Sequence, residues 1–473
     1  MLFSSPIFLF AFLPLTLAGY YLLDRKFKNV FLLIMSLIFY AWGEPKFIFV
    51  MLFSTLVNWL FGLAADKFRE NKKAAYSVIT LMVLWNISVF FIYKYLDFAI
   101  GNVNALFKTD IPLRHIALPI GISFFTFQAM SYVIDVYRGN GKVQKNPLNV
   151  ALYITFFPQL IAGPIVRYET VANEINCRRE SFDSFSKGVK RFIIGLGKKI
   201  ILSNSIAVVA DAAFNMESYS ALSVSMAWLG ALAYALQIYF DFGGYSDMAI
   251  GLGLMFGFHF NENFDYPYIT QSVSEFWRRW HISLGTWFRD YVYFPLGGSR
   301  VKSKARLVLN LFAVWFLTGV WHGASWNFIL WGLLFFVFIT FEKLSGYPKK
   351  FTKPAAKTAY RILTLVIILL GWVLFRAEDL PRAWEYIKCM IGLNGNPLSD
   401  SMAGFILGDS AVIYLLGILF SIPVIPFIAK KAENTKLKAP LQLLGTLCLL
   451  GIFAVSIAFS VTGSYDPFIY FNF

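Results

Sequence analysis

The chain has 473 residues, of which 58% are hydrophobic and only 15% charged, and its mean hydropathy is +0.61. Soluble domains carry about a quarter charged residues, so this chain cannot cover a water-facing surface and its solvent is lipid. The net charge of +15 does not indicate nucleic acid, because Lys and Arg gather in short connections between apolar runs and form no continuous basic face. Cys177, Cys389 and Cys448 are far apart with no CxxC pair, which argues against a zinc site, a disulfide framework and redox chemistry.

A helical bilayer crossing takes about 20 apolar residues. Apolar runs recur near residues 6–23, 29–42, 47–65, 75–93, 115–134, 148–165, 190–210, 222–240, 245–258, 307–341, 360–375, 403–428 and 441–461. They predict an all-α polytopic protein with about eleven to fourteen membrane segments. The first run has no basic residue before it and no small-residue cleavage site after it, so it reads as a retained span. One membrane domain, residues 1–473, is expected, since no internal repeat or long linker interrupts the pattern.

Basic loops set the orientation: Arg25 to Lys28, Lys67 to Lys73, Arg138 to Lys145, Arg167 to Lys199, Arg278 to Arg306, Lys343 to Arg361 and Lys430 to Lys438 fall on the inner side. Glu217, Glu378 and Asp379 fall outside, as does the N-terminus. For the count to hold, the Pro/Gly-broken run Phe157 to Pro164 is read as re-entrant, its backbone buried in protein or lining a cavity. Residues 177–199, with mixed basic and aromatic composition, are expected to lie as an amphipathic helix on the inner surface.

Polar groups inside apolar runs are costly in lipid and mark functional candidates. Gln237 and Asp241 share a helix face at i, i+4 spacing, before the helix-loosening pair Gly243-Gly244; they either fix helix packing or line an active cavity. Read as one helix, residues 275–291 place Trp277, His281, Leu284 and Phe288 on an apolar stripe and Arg279, Ser283, Thr286 and Asp290 on a polar one. His281 then points toward protein or bilayer, as a packing residue or a working one. His322, flanked by Gly319, Gly323 and Ala324, is the most deeply placed ionisable group. A neutral imidazole there can take a proton from a hydroxyl, with the glycines leaving room for substrate. A metal ligand or a structural histidine are the alternatives, though no second ligand of matching spacing appears. His115 and His259 have no partner pattern, and the loop holding His259, Asn261, Glu262, Asn263 and Asp265 reads as bland. Neither a hydrolase elbow, a phosphate loop nor a metalloprotease motif is present. The sequon at Asn86 lies inside a span.

An ordered set of motifs does carry a resemblance. Asp241-Phe242-Gly243-Gly244-Tyr245-Ser246-Asp247, Glu262-Asn263-Phe264-Asp265-Tyr266-Pro267-Tyr268, Phe276-Trp277-Arg278-Arg279-Trp280-His281-Ile282-Ser283-Leu284 and Leu317-Thr318-Gly319-Val320-Trp321-His322-Gly323 resemble the membrane-bound O-acyltransferase family, in its bacterial alginate O-acetyltransferase-like branch. The likeness extends to Leu118 to Phe125 and Gln159 to Ile165. It departs from related sequences at Gly243, where Ser is frequent, and at Asn261, where Pro is.

The resemblance implies a ring of tilted helices, with re-entrant and interfacial helices, around a central tunnel that joins a cytoplasmic donor passage to an outer acceptor funnel. It implies that His322 is catalytic, as general base, and that His281 orients or polarises a substrate. Trp277, Arg289, Gln237 and Asp241 are expected to bind substrate, and Arg278 and Arg279 are further candidates for donor phosphates. No resident cofactor or metal is expected; acetyl-CoA is the expected donor substrate. Beyond the lipid bilayer, the expected partners are a separate extracytoplasmic esterase-like transferase and an exported polysaccharide acceptor, at a bacterial cytoplasmic membrane. D-alanyl transfer to teichoic acid, a non-catalytic transporter and a structural scaffold are the rival readings.

Overall fold

In the computed structural model, which describes residues 1–462 and 469, every regular element among the described residues is helical. The chain packs as two compact units, Met1–Phe192 with Tyr245–Asn261, and Ile193–Gly244 with Glu262–Phe473. Among the described residues, seven helices are long and apolar enough to cross a membrane, or eight if the pair Ser401–Asp409 and Ala411–Phe420, bent by 62°, is one span. The protein is thus an all-α polytopic membrane protein with fewer straight spans than its apolar runs predict.

The difference has local causes. The run near 6–23 becomes a short apolar helix, Phe8–Leu22. The run near 148–165 breaks into Pro147–Thr155 and Phe157–Leu160, followed by irregular backbone. This segment is buried, and Phe157 N donates to Ser36 Oγ at 3.2 Å; broken backbone at membrane depth needs such enclosure. The runs near 222–240 and 245–258 are one helix, Val224–Met255. Gly243-Gly244 does not loosen it. A Cβ on Gly244 would lie 2.7 Å from the Gly195 carbonyl oxygen, so this glycine admits a neighbouring helix at close range.

The amphipathic helix expected over 177–199 forms as Phe182–Gly197, but it does not end there. Phe182–Gly197 runs through a π-helical stretch, Lys198–Ser203, into Asn204–Phe214, giving a 33-residue apolar helix long enough to span. Its misleading basic residue, Lys199, is buried against Asp241, with Nζ 2.6 Å from Oδ1. A lysine neutralised inside protein carries no information about the interface.

The second unit has a large aromatic core in which Trp331, Trp372, Phe335, Tyr234, Phe276 and Trp280 are all buried. Both central histidines sit in it.

Candidate active site

The expected single helix over residues 275–291 does not form. Val273–Arg279 and Ile282–Phe288 are separate helices, joined by Trp280 in extended backbone and His281 in the left-handed region, φ 45° and ψ 52°. A β-carbon makes that conformation costly, and it persists only where surroundings impose it. They do so here through the segment 262–265. Asp265 N donates to Arg279 O at 2.9 Å and Ile282 N to Asn263 O at 2.9 Å, satisfying backbone groups that the interrupted helix releases.

His281 is 1% exposed. Its Nδ1 lies 3.1 Å from Asn263 Oδ1, and Phe242 stands edge-on to its ring at 4.6 Å between centroids. Burial pushes its pKa down to about 3, because no charged partner offsets loss of water around an imidazolium. The imidazole is therefore neutral. Asn263 was not distinguished in the sequence from its polar loop neighbours, since the contact joins residues 18 positions apart.

His322 ends the helix Lys304–His322, where Gly323 turns the chain into extended backbone before Trp326–Ser345. The small residues beside it serve packing, contrary to expectation. A Cβ on Gly319 would lie 2.5 Å from Phe328 O, and one on Gly323 would lie 2.2 Å from the Phe328 ring. They receive the returning helix and leave no void. The ring of His322 is instead enclosed by aromatics, with centroids 4.8 Å from Trp321, 4.8 Å from Trp331 and 5.2 Å from Phe375. Trp321 also stands 6.1 Å from His281, so one indole separates the two imidazoles.

Two cavities lie at opposite ends of this helical hairpin. The larger, about 1190 Å³, is lined by His281, Trp277, Thr318 and the C-terminal turn of Trp326–Ser345, with Arg278, Arg289, Lys343, Lys349 and Lys357 against Glu275 and Glu342. Both acids are engaged: Glu275 pairs with Arg279 at 3.0 Å, and Glu342 accepts from Val273 N and Ser274 N at 2.8 Å each. The cavity thus offers surplus positive charge to an anion. The smaller, about 520 Å³, is lined by Gln237, Asn327, Phe328, Phe375, Arg376 and neighbours. His322 lies between their aromatic walls, touching Phe375 of the small cavity and Trp331, which packs 5.3 Å from Trp277 of the large one.

The expected binding residues therefore divide. Trp277 and Arg289 line the large cavity, although Arg289 also pairs with Asp290 at 2.8 Å. Gln237 lines the small one. Asp241 is corrected to a structural part: besides Lys199, its Oδ2 accepts from Ile469 N at 2.9 Å. Arg279 is bound to Glu275 and, at 3.1 Å, to Asp265, so it is occupied by carboxylates.

Comparison with known proteins identifies the family. Residues 142–377 match the membrane-bound O-acyltransferase family, a span that holds both histidines. A probable alginate O-acetylase of Pseudomonas aeruginosa is 36% identical over all of both chains. The peptidoglycan O-acetyltransferase of Helicobacter pylori is 33% identical over all of this chain and 98% of its own. The teichoic acid D-alanyltransferase of Bacillus subtilis is 31% identical over 55% of this chain and 69% of its own. The chain belongs to the membrane-bound O-acyltransferase family and is a multi-pass membrane acyltransferase.

Proposed function

We propose that the protein transfers an acetyl group from acetyl-CoA, held in the basic cavity on the cytoplasmic side of a bacterial cytoplasmic membrane, to a hydroxyl that arrives through the small cavity on the outer side. The observation that supports this reading is that the rings packed on His322 belong to or adjoin the walls of two separate cavities. Surplus Lys and Arg mark the large cavity as inner by the bias of cytoplasmic loops, and they match the phosphates of a CoA thioester. Gln237 and Asn327 supply polar groups suited to a hydroxylated acceptor.

In this reaction His322 takes the proton from the acceptor hydroxyl as its oxygen attacks the thioester carbonyl. The tetrahedral intermediate then collapses: the C–S bond breaks, the acetyl group stays on oxygen, and the imidazolium returns its proton to the departing thiolate. Trp277 walls the donor, Arg278 and Arg289 contact its phosphates, and His281 orients it from the cavity side. No resident cofactor or metal is required.

The final acceptor is an exported cell-wall or exopolysaccharide, reached through a separate esterase-like transferase on the outer face. Relatives named as acetylases of alginate and peptidoglycan support this choice, each alignable over the whole chain. D-alanyl transfer is the weaker reading, because that relative aligns with about half of the chain. The test is to supply acetyl-CoA or a D-alanyl thioester to membranes containing the protein and measure acyl ester on the host polysaccharide. Acetyl ester formation dependent on His322 supports the proposal; D-alanyl ester alone replaces the donor.

A further inference from the structure

The hydrogen bonds around Asn263 fix more than the shape of a turn. Its Oδ1 accepts from Ser283 N at 3.2 Å and from Ser283 Oγ at 2.8 Å, and lies 3.1 Å from His281 Nδ1. A backbone N–H can only donate, so the atom facing Ser283 is the amide oxygen; the orientation of the amide follows from the network. An amide oxygen can only accept. Ser283 Oγ also lies 3.5 Å from Nδ1, but its one hydrogen goes to Asn263 Oδ1 at the shorter 2.8 Å. Nδ1 of His281 then carries the hydrogen toward Asn263, and in a neutral imidazole Nε2 is left with a lone pair. Asn263 is 1% exposed, so water does not compete for these bonds. Nε2 of His281 is buried and has no hydrogen-bond partner among the described residues, while the residue lines the basic cavity.

We infer that Asn263 is a positioning residue that locks His281, a cavity-lining residue, in the Nδ1–H tautomer and leaves Nε2 as a buried acceptor to be satisfied by an N–H or O–H group of the bound molecule. The inference rests on the reading that His281 serves acyl transfer, and it narrows that role. An unprotonated Nε2 cannot polarise a thioester carbonyl, which needs a donor. It can hold an amide N–H of a pantetheine-type arm. The left-handed backbone at His281 belongs to the same device, since Asn263 accepts from Ser283 through Oδ1 and from Ile282 through its backbone carbonyl.

The test uses the full chain in nanodiscs with 15N-labelled histidine. The protein has four histidines, and loss of a signal in His281→Asn assigns the one in question. The expected spectrum has a protonated Nδ1 and an unprotonated Nε2 at His281; a protonated Nε2 in the wild-type protein overturns the inference whatever the variants do. With acetyl-CoA as probe, Asn263→Leu, which removes the acceptor, is expected to lower kcat/KM by about tenfold to a hundredfold. Asn263→Asp retains an acceptor for Nδ1–H and is expected to recover most of that loss, with the acid limb of the rate profile moved upward because a carboxylate favours imidazolium. Wild-type kinetics in Asn263→Leu, or equal loss in both variants, contradicts the positioning role. Full activity in His281→Asn would instead remove the role of His281 in acyl transfer, an outcome separate from the tautomer measurement.

Discussion

His322 meets Trp331 edge to face, with ring centroids 4.8 Å apart and planes at 78°. Trp331 in turn packs against Trp277, and Phe375 closes the other side of the imidazole. These rings form an aromatic layer between the basic cavity and the small one, and under the proposed reaction such a layer keeps water from the donor. Phe375→Ala is therefore expected to raise hydrolysis of acetyl-CoA without acceptor, read as free thiol release. The same change is expected to cost about 3–5 kcal/mol of stability, as for other buried Phe truncations, so thermal unfolding should be followed alongside.

The basic cavity predicts a change in donor affinity without a change in chemistry. Arg278→Glu combined with Lys343→Glu should raise KM for acetyl-CoA about tenfold, with a weaker dependence on ionic strength. Acetyl-pantetheine, which lacks the nucleotide phosphates, should show no such difference. A steady-state comparison of the two donors checks both statements.

The buried pair Lys199–Asp241 predicts a stability effect. With side chains 4% and 1% exposed, Lys199→Met leaves an uncompensated carboxylate and should cost about 3–5 kcal/mol. Adding Asp241→Asn should restore much of this, since the amide can still accept from Ile469 N. Thermal unfolding of single and double variants in detergent measures the recovery.

Burial of neutral His281 predicts acid sensitivity. Its folded-state pKa, about 3, lies below the unfolded value of 6.5, so between these values the unfolded state binds the extra proton. Stability from this group is complete above about pH 6.5 and falls progressively as pH drops toward 3. Unfolding temperatures recorded downward from about pH 7 should fall less steeply in His281→Gln than in the wild-type protein.

Much of this organisation was legible in the sequence. Polar residues are scarce in the apolar runs of this chain, which singles out His322, Gln237 and Asp241 as candidates, although Asp241 is a structural part. Local pattern misled where a distant residue decided the outcome. Lys199 resembled an interfacial residue because Asp241 lies 42 positions away, and residues 275–291 kept helical periodicity although Asn263 and Asp265 supply bonds that stabilise a break. Gly319 and Gly323 read as space beside a substrate, yet the space is filled by Phe328, a residue only visible as a neighbour once the chain turns back. Span number was overstated for a related reason: hydropathy records apolar length but not bends, as at Ser401–Phe420, or fusion of two runs into Val224–Met255.

The most direct measurement is the rate of acetyl transfer from acetyl-CoA to the host's exported polysaccharide in membranes carrying wild-type protein or His322→Ala at equal, folded levels. Loss of general-base assistance should lower ester formation by about a hundredfold to ten-thousandfold, with donor binding to the basic cavity retained. Ester formation at the wild-type rate in His322→Ala would contradict the assignment of His322 as the base that activates the acceptor.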